Sequence, residues 1–213
     1  MRTSRGSAGQ PPLRRRFAFG FGRAACGPPP PMTGRPASAT LRGMEAMSRS
    51  DAIARLADLR AAYAAIRPRV VAGAPWPLAD DFGTGPEASW GPPEVLAHLA
   101  EMLSYWYGQY GIIAQAGRGA GEGVPFGRTS DDPVRVAVLE RDRRFPMDDL
   151  FDLVDDGIAR WERRMASATD DGGSAVGAHP RLGEMTADRL RDRMVVSHLE
   201  EHLAQLESAL ASR

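Results

Sequence analysis

The sequence predicts an all-α protein whose body is a four-helix bundle. Three observations carry that prediction. Four segments repeat their apolar residues at helical spacing, no segment alternates apolar and polar residues as a strand does, and a chain of 213 residues can bury one sizeable core.

Residues 1–46 stand outside this body, and residues 47–213 form the bundle domain, with Met44 or Met47 as its natural beginning. The first segment contains PPLRRRFAFGFGRAACGPPPPMTGRPAS, rich in Arg, Pro, Gly and Ala and without apolar periodicity. Such a composition cannot bury a core and is expected to form a disordered extension. Arg14-Arg15-Arg16-Phe17 loosely matches a twin-arginine export signal, but the apolar run behind it is short, diluted by Gly and broken by Arg23. Arg23-Ala24-Ala25-Cys26 also lacks the apolar residue that a lipoprotein site requires. No stretch approaches 18 consecutive apolar residues, so the expectation is a cytoplasmic protein with no membrane partner.

The first helix is expected from about Ser50 to Ile66, with Ile53, Leu56, Leu59, Tyr63 and Ile66 on one stripe and Pro68 as its stop. The second opens at SWGPPEVLAHL: Gly91 serves as cap, Pro92 fits the first helical position, and Glu94 suits the positive end of the helix. It continues through Tyr110 or beyond, to the glycine cluster GRGAGEG. The third follows Pro146, with Asp148 and Asp149 in its first turn and Leu150, Val154, Ile158, Trp161 and Met165 on one face. The fourth is introduced by HPRLGEMT, with Thr186 as N-cap, and runs to about Ala211 on a stripe of Leu199, Leu203, Leu206 and Leu210. Between the second and third helices, residues 118–145 are long for a compact bundle, which calls for a crossover past the bundle end, a functional loop, or both.

Composition narrows the chemistry. Net charge is zero, yet residues 1–44 carry eight arginines and no acid, leaving 19 arginines against 27 acids in the remainder. The body is therefore acidic, with no footprint for nucleic acid. All 27 basic residues are arginine, which removes Schiff-base chemistry and the lysine-containing phosphate loop. Cys26 is the single cysteine, so the body has no cysteine nucleophile, disulfide or cysteine-built zinc site. No G-x-S-x-G elbow occurs. A site must be built from His, carboxylates, Tyr, Ser and Gln.

The stretch MVVSHLEEHLAQLE places His198 and His202 four residues apart, both at the edge of the apolar arc of the fourth helix, where one ion can reach both imidazoles. His98 occupies the same kind of edge on the second helix, beside Met102, Val95, Trp106 and Leu99. If the two helices are neighbours, three neutral imidazoles converge with an open position, an arrangement used for catalytic zinc. Packed, hydrogen-bonded core histidines are the alternative reading. His198-Leu-Glu-Glu201-His202 also fits the inverted zinc-protease pattern H-x-x-E-H, but only 11 residues follow His202 and Glu201 falls about 60° to 100° round the helix from the histidines.

Trp90-Gly-Pro-Pro-Glu-Val-Leu-Ala-His98-Leu resembles the W-x-P-x-E-x-x-x-H-L start of the second helix in the DinB/YfiT-like superfamily. His198-x-x-x-His202 resembles the last-helix pair of that group, and His179-Pro-Arg-Leu-Gly183 resembles the HP-x-x-G segment that precedes it. The resemblance covers roughly residues 48–211. It implies a four-helix bundle with a long crossover between helices 2 and 3, and a divalent metal, zinc or nickel, held by His98, His198 and His202. Similar proteins include S-transferases and isomerases that use mycothiol or bacillithiol, so a small-molecule substrate such as a low-molecular-weight thiol is expected. An ion on three neutral imidazoles suits either hydrolysis or transfer of a thiol held as thiolate. The competing class is a non-catalytic metal-binding or stress-associated bundle, or a homodimer whose long connection serves assembly.

By position alone, Tyr105, Gln109 and Glu101 are candidates to orient a substrate, and Arg118, Arg128 and Arg135 to recognise an acidic cosubstrate. His179 is expected to be a structural or exposed side chain rather than a fourth ligand. No catalytic residue is assigned.

Overall fold

In the computed structural model the described residues are 46–80, 82, 87–116, 123–167 and 172–212. Residues 1–45 of the expected extension over 1–46, with Cys26, and the candidate Arg118 lie outside them.

Helix α1 (Arg49–Ala72) begins where Ser48 accepts a hydrogen bond from the Asp51 N–H, and it buries Ala52, Leu56, Leu59, Tyr63, Ile66 and Val70. The expected stop at Pro68 is corrected: the helix runs through it and closes at Gly73, whose N–H reaches the Arg69 carbonyl. The bond that Pro68 cannot donate is offset by the next residues. Val70 is fully buried on the same stripe, and its carbonyl accepts from Trp76 Nε1 at 2.9 Å.

Helix α2 (Pro92–Ala116) starts as its sequence requires. Gly91 O accepts the first helical bond from the Val95 N–H at 3.0 Å, and the Glu94 carboxylate reaches back to the Gly91 N–H at 3.1 Å, the half of a capping box that a glycine cap allows. Every residue from Pro92 to Leu99 is buried, His98 included, so this end of the helix lies deep in the protein.

The connection after α2 is not a bare loop. It contains a two-residue strand β1 (Val124–Pro125) and a ten-residue helix α3 (Pro133–Asp142) that packs on α2. The signal for α3 is present in the sequence: Asp132 caps it by accepting from the Arg135 N–H at 2.9 Å, with Pro133 at the first position.

Helix α4 (Met147–Ser167) buries Leu150, Val154, Ile158, Trp161 and Met165 against α1 and α2. Trp161 is fully buried, donates from Nε1 to Leu103 O at 3.1 Å, and meets Tyr107 and Tyr110 edge-on. Gly157 permits the close approach of α4 to α2, since a Cβ there would lie 2.8 Å from Leu103 Cδ1 and 3.0 Å from Leu103 Cβ. Gly157→Ala is therefore expected to destabilise by about 1–2 kcal/mol, because overpacking outweighs alanine's helix preference. A urea midpoint equal to or above the parent's would contradict this.

The sequence predicts no strand, yet β2 (Val176–His179) and β3 (Gly183–Thr186) form an antiparallel hairpin, with β1 parallel to β2 on its other side. Four-residue strands containing Gly177 and Gly183 are too short to display alternation. The HP-x-x-G segment is the turn of this hairpin. His179 Nδ1 accepts from the N–H groups of Arg181 and Leu182 at 3.1 and 3.2 Å, and Gly183 supplies a φ of 74°.

Thr186 caps the last helical run as expected, accepting from the Arg189 N–H at 3.2 Å. The run comprises α5 (Ala187–Arg191), a π-turn over Asp192–Val196, and α6 (Ser197–Ala211). Helix α6 packs on both α1 and α2, and Tyr63 donates to Leu199 O at 2.8 Å. Among the described residues no helix is long and apolar enough to cross a membrane.

Candidate metal centre

The contact of α6 with α2 brings together the three histidines singled out by spacing. His98 Nε2 lies 2.8 Å from His198 Nε2, and His202 Nε2 lies 3.2 Å from the same atom. The rings meet edge-to-face, with centroids 4.6 to 5.1 Å apart. Four ligand atoms about 2.0–2.1 Å from a tetrahedral ion are separated by about 3.3 Å, so this spacing fits one small divalent ion.

Protonation favours the same use. Burial, then the neighbouring His198 and His202 and the guanidinium of Arg135, hold His98 well below the ordinary imidazole range. Burial first, with His202 and Arg135, lowers His198 to about 4. His202 is lowered by burial, against the opposing pull of its Gln205 bond and of Glu87 and Glu201. At neutral pH the three rings are uncharged, the form in which imidazole binds a metal once each ring proton sits on Nδ1.

Neighbouring side chains orient the rings. His202 Nδ1 lies 2.8 Å from Gln205 Oε1; the amide oxygen can only accept, so the ring proton sits on Nδ1 and the Nε2 lone pair faces the cluster. Trp90, the tryptophan of the second-helix motif, packs edge-on against His98 at 5.3 Å between centroids. His98 Nδ1 faces Arg135 Nη2 at 3.4 Å, too long for a strong bond. Glu201 Oε2 comes within 3.7 Å of His198 Nδ1 while remaining largely exposed, so it touches the outer ring nitrogen rather than the cluster. That placement is unlike a protease's general base, which must face the open side of the ion.

Glu87 joins this cluster without belonging to any of the sequence motifs. This residue lies on a single 3-10 turn (Glu87–Ser89) ahead of α2, with its carboxylate oxygens 3.9 to 4.0 Å from all three Nε2 atoms. Glu87, His98, His198 and His202 together form a cluster able to hold a metal ion, every ligand atom within 4.8 Å of the others. No spacing rule links a glutamate in an irregular lead-in to histidines on two helices.

The cluster opens into a cavity of about 230 Å³. Of the residues proposed by position, Glu101, Tyr105, Arg128 and Arg135 line it. Arg128 is ion-paired to Glu101 and stacks over Tyr105 at 3.8 Å. Burial lowers the Arg135 guanidinium from its usual value, and Arg135 donates to Ser130 O at 2.8 Å. Gln109 does not line it; its Oε1 accepts from the Gly127 N–H at 2.7 Å, next to Arg128 in the chain. His179 lines the cavity but belongs to the hairpin turn rather than to the metal cluster.

A family model described as the DinB superfamily matches residues 46–206. Comparison with curated proteins and with solved structures gives no match.

Proposed function

This chain belongs to the DinB superfamily, and on that footing we propose that it is a divalent-metal-dependent enzyme acting on a small molecule, with His98, His198 and His202 as ligands. The convergence of the three Nε2 atoms on one point carries this reading. Zinc or nickel suits three imidazoles. An ion so held supplies Lewis acidity, lowering the pKa of a water or thiol that binds it.

The chain's own residues define what such a site accepts. Arg128, Arg135 and the exposed Arg181 outnumber the carboxylates Glu87 and Glu101 around the cavity, while Met102, Trp106, Leu182 and Met194 give it apolar walls. This combination suits a low-molecular-weight thiol bearing a carboxylate, or an acidic electrophile, and the reaction class is thiol S-transfer or hydrolysis. Arg128, braced by Glu101 and Tyr105, is placed to hold the acid group without moving.

The test is metal content of tag-free protein, for the parent and for His98→Ala, His198→Ala and His202→Ala. One ion per parent chain and almost none in each variant is the expected result; an ion-free parent whose melting temperature does not respond to divalent ions would sink the reading. With metal present, conjugation of a generic electrophile is then assayed across several low-molecular-weight thiols. Turnover that disappears on chelation supports transfer. No turnover with any of these thiols, and no chelator-sensitive hydrolysis of a generic ester assayed alongside, would favour the non-catalytic class.

A further inference from the structure

We infer that Glu87 is a fourth, exchangeable ligand of the ion, and that Arg135 takes over its carboxylate when a substrate anion enters. The inference rests on the three-histidine reading above and adds to it a residue outside the motifs that point to the metal.

The carboxylate of Glu87 straddles two sets of partners. Oε1 lies 3.3 Å from Arg135 Nη2 and 3.9 Å from His98 Nε2, while Oε2 lies 3.9 Å from His198 Nε2 and 4.0 Å from His202 Nε2. A rotation of the side chain is enough to move it from the guanidinium to the point where the three lone pairs meet. Its backbone is fixed in that position by Gln205, whose Nε2 donates to the carbonyls of Glu87 and Trp90 at 2.8 and 3.0 Å. The same Gln205 orients His202 through its Oε1. One amide therefore sets both a ligand ring and the turn that carries the carboxylate, a coupling that packing of the turn alone would not require.

Charge explains why the carboxylate is needed and why it can leave. Three neutral imidazoles leave a divalent ion uncompensated, with the Arg135 cation close behind His98. Glu87 screens one from the other. An arriving thiolate or carboxylate supplies the negative charge instead, and the displaced Glu87 already has Arg135 at the edge of hydrogen-bond distance. The 40 % exposure of the Glu87 side chain leaves room for that rotation.

Cobalt(II), whose visible bands report its ligand set, is the probe, on the full chain. Glu87→Gln keeps the shape of a half-exposed side chain and should fold. The expected result is altered visible bands and about ten-fold or more weaker cobalt binding than in the parent. Arg135→Gln should tighten cobalt binding several-fold more with Glu87 present than in the Glu87→Gln background. Identical bands in parent and Glu87→Gln would overturn the ligand assignment even if affinity falls, since charge alone could weaken binding. Equal tightening in both backgrounds would overturn the exchange with Arg135. A parent that takes up no cobalt would overturn the three-histidine reading itself, and this inference with it.

Discussion

Glu94→Ala is expected to destabilise the protein by about 3–5 kcal/mol, read as a large fall in the urea midpoint at neutral pH. Glu94 is fully buried, and its two oxygens serve three donors. Oε1 accepts from the Ala79 N–H at 2.7 Å and from Arg143 Nη1 at 3.1 Å, and Oε2 accepts from the Gly91 N–H at 3.1 Å. Alanine leaves two backbone donors unpaired and opens a cavity. Arg143 is not left alone, because Glu140 remains 2.7 Å from its Nη2, so the orphaned amides dominate the loss. Glu94→Gln should fall between, since its NH₂ must face at least one donor. The same substitutions should weaken metal binding, because Glu94 ties the lead-in segment, which carries Glu87 and Trp90, to the start of α2. A midpoint shift worth less than about 1 kcal/mol would show that the network contributes little.

The sequence discloses one half of this network and hides the other. Glu94 is legible as a favourable charge in a first helical turn, but its bonds to Ala79 and Arg143 depend on how distant segments fold back. The same division runs through the molecule. The four long helical runs are legible because each buries a continuous stripe at a 3.6-residue period, and the histidines because each borders such a stripe. Spacing places His198 and His202 on one strip, whereas the meeting of that strip with His98 depends on contact between α2 and α6. The π-turn before His198 is less accessible still, since it follows directly on Arg191, almost wholly buried, which binds Asp188, Asp192 and the Met47 carbonyl. An arginine in a helical pattern normally reads as surface. Its burial here joins the chain entry to the helix that carries two candidate ligands.

In the ion-free protein, stability should fall as pH drops from about 6.5 towards 4, and a bound divalent ion should move that loss to lower pH. The folded His198 titrates near 4 against an ordinary 6.5, so the unfolded chain takes up its proton first. Stability fully present above the unfolded value is therefore lost as pH falls through the interval, by about 3 kcal/mol for this residue at its limit. His98 and His202 are lowered in the same direction and add to it. Above pH 5 the carboxylates do not confuse the window: Glu140, lowered from 4.5 chiefly by its hydrogen bonds to Arg143 and Arg144, and Asp155, lowered from 3.8 chiefly by its hydrogen bond to Arg60, lose their contributions only below those values. A bound ion occupies the lone pairs that acid attacks, and at about a thousand times its dissociation constant it contributes about 4 kcal/mol. Urea unfolding at pH 7, 6 and 5, with zinc and with chelator, separates the two effects. Stability that stays flat between pH 7 and 5 without metal would mean that the rings are not held neutral together. Identical curves with zinc and with chelator would mean that their convergence does not hold an ion.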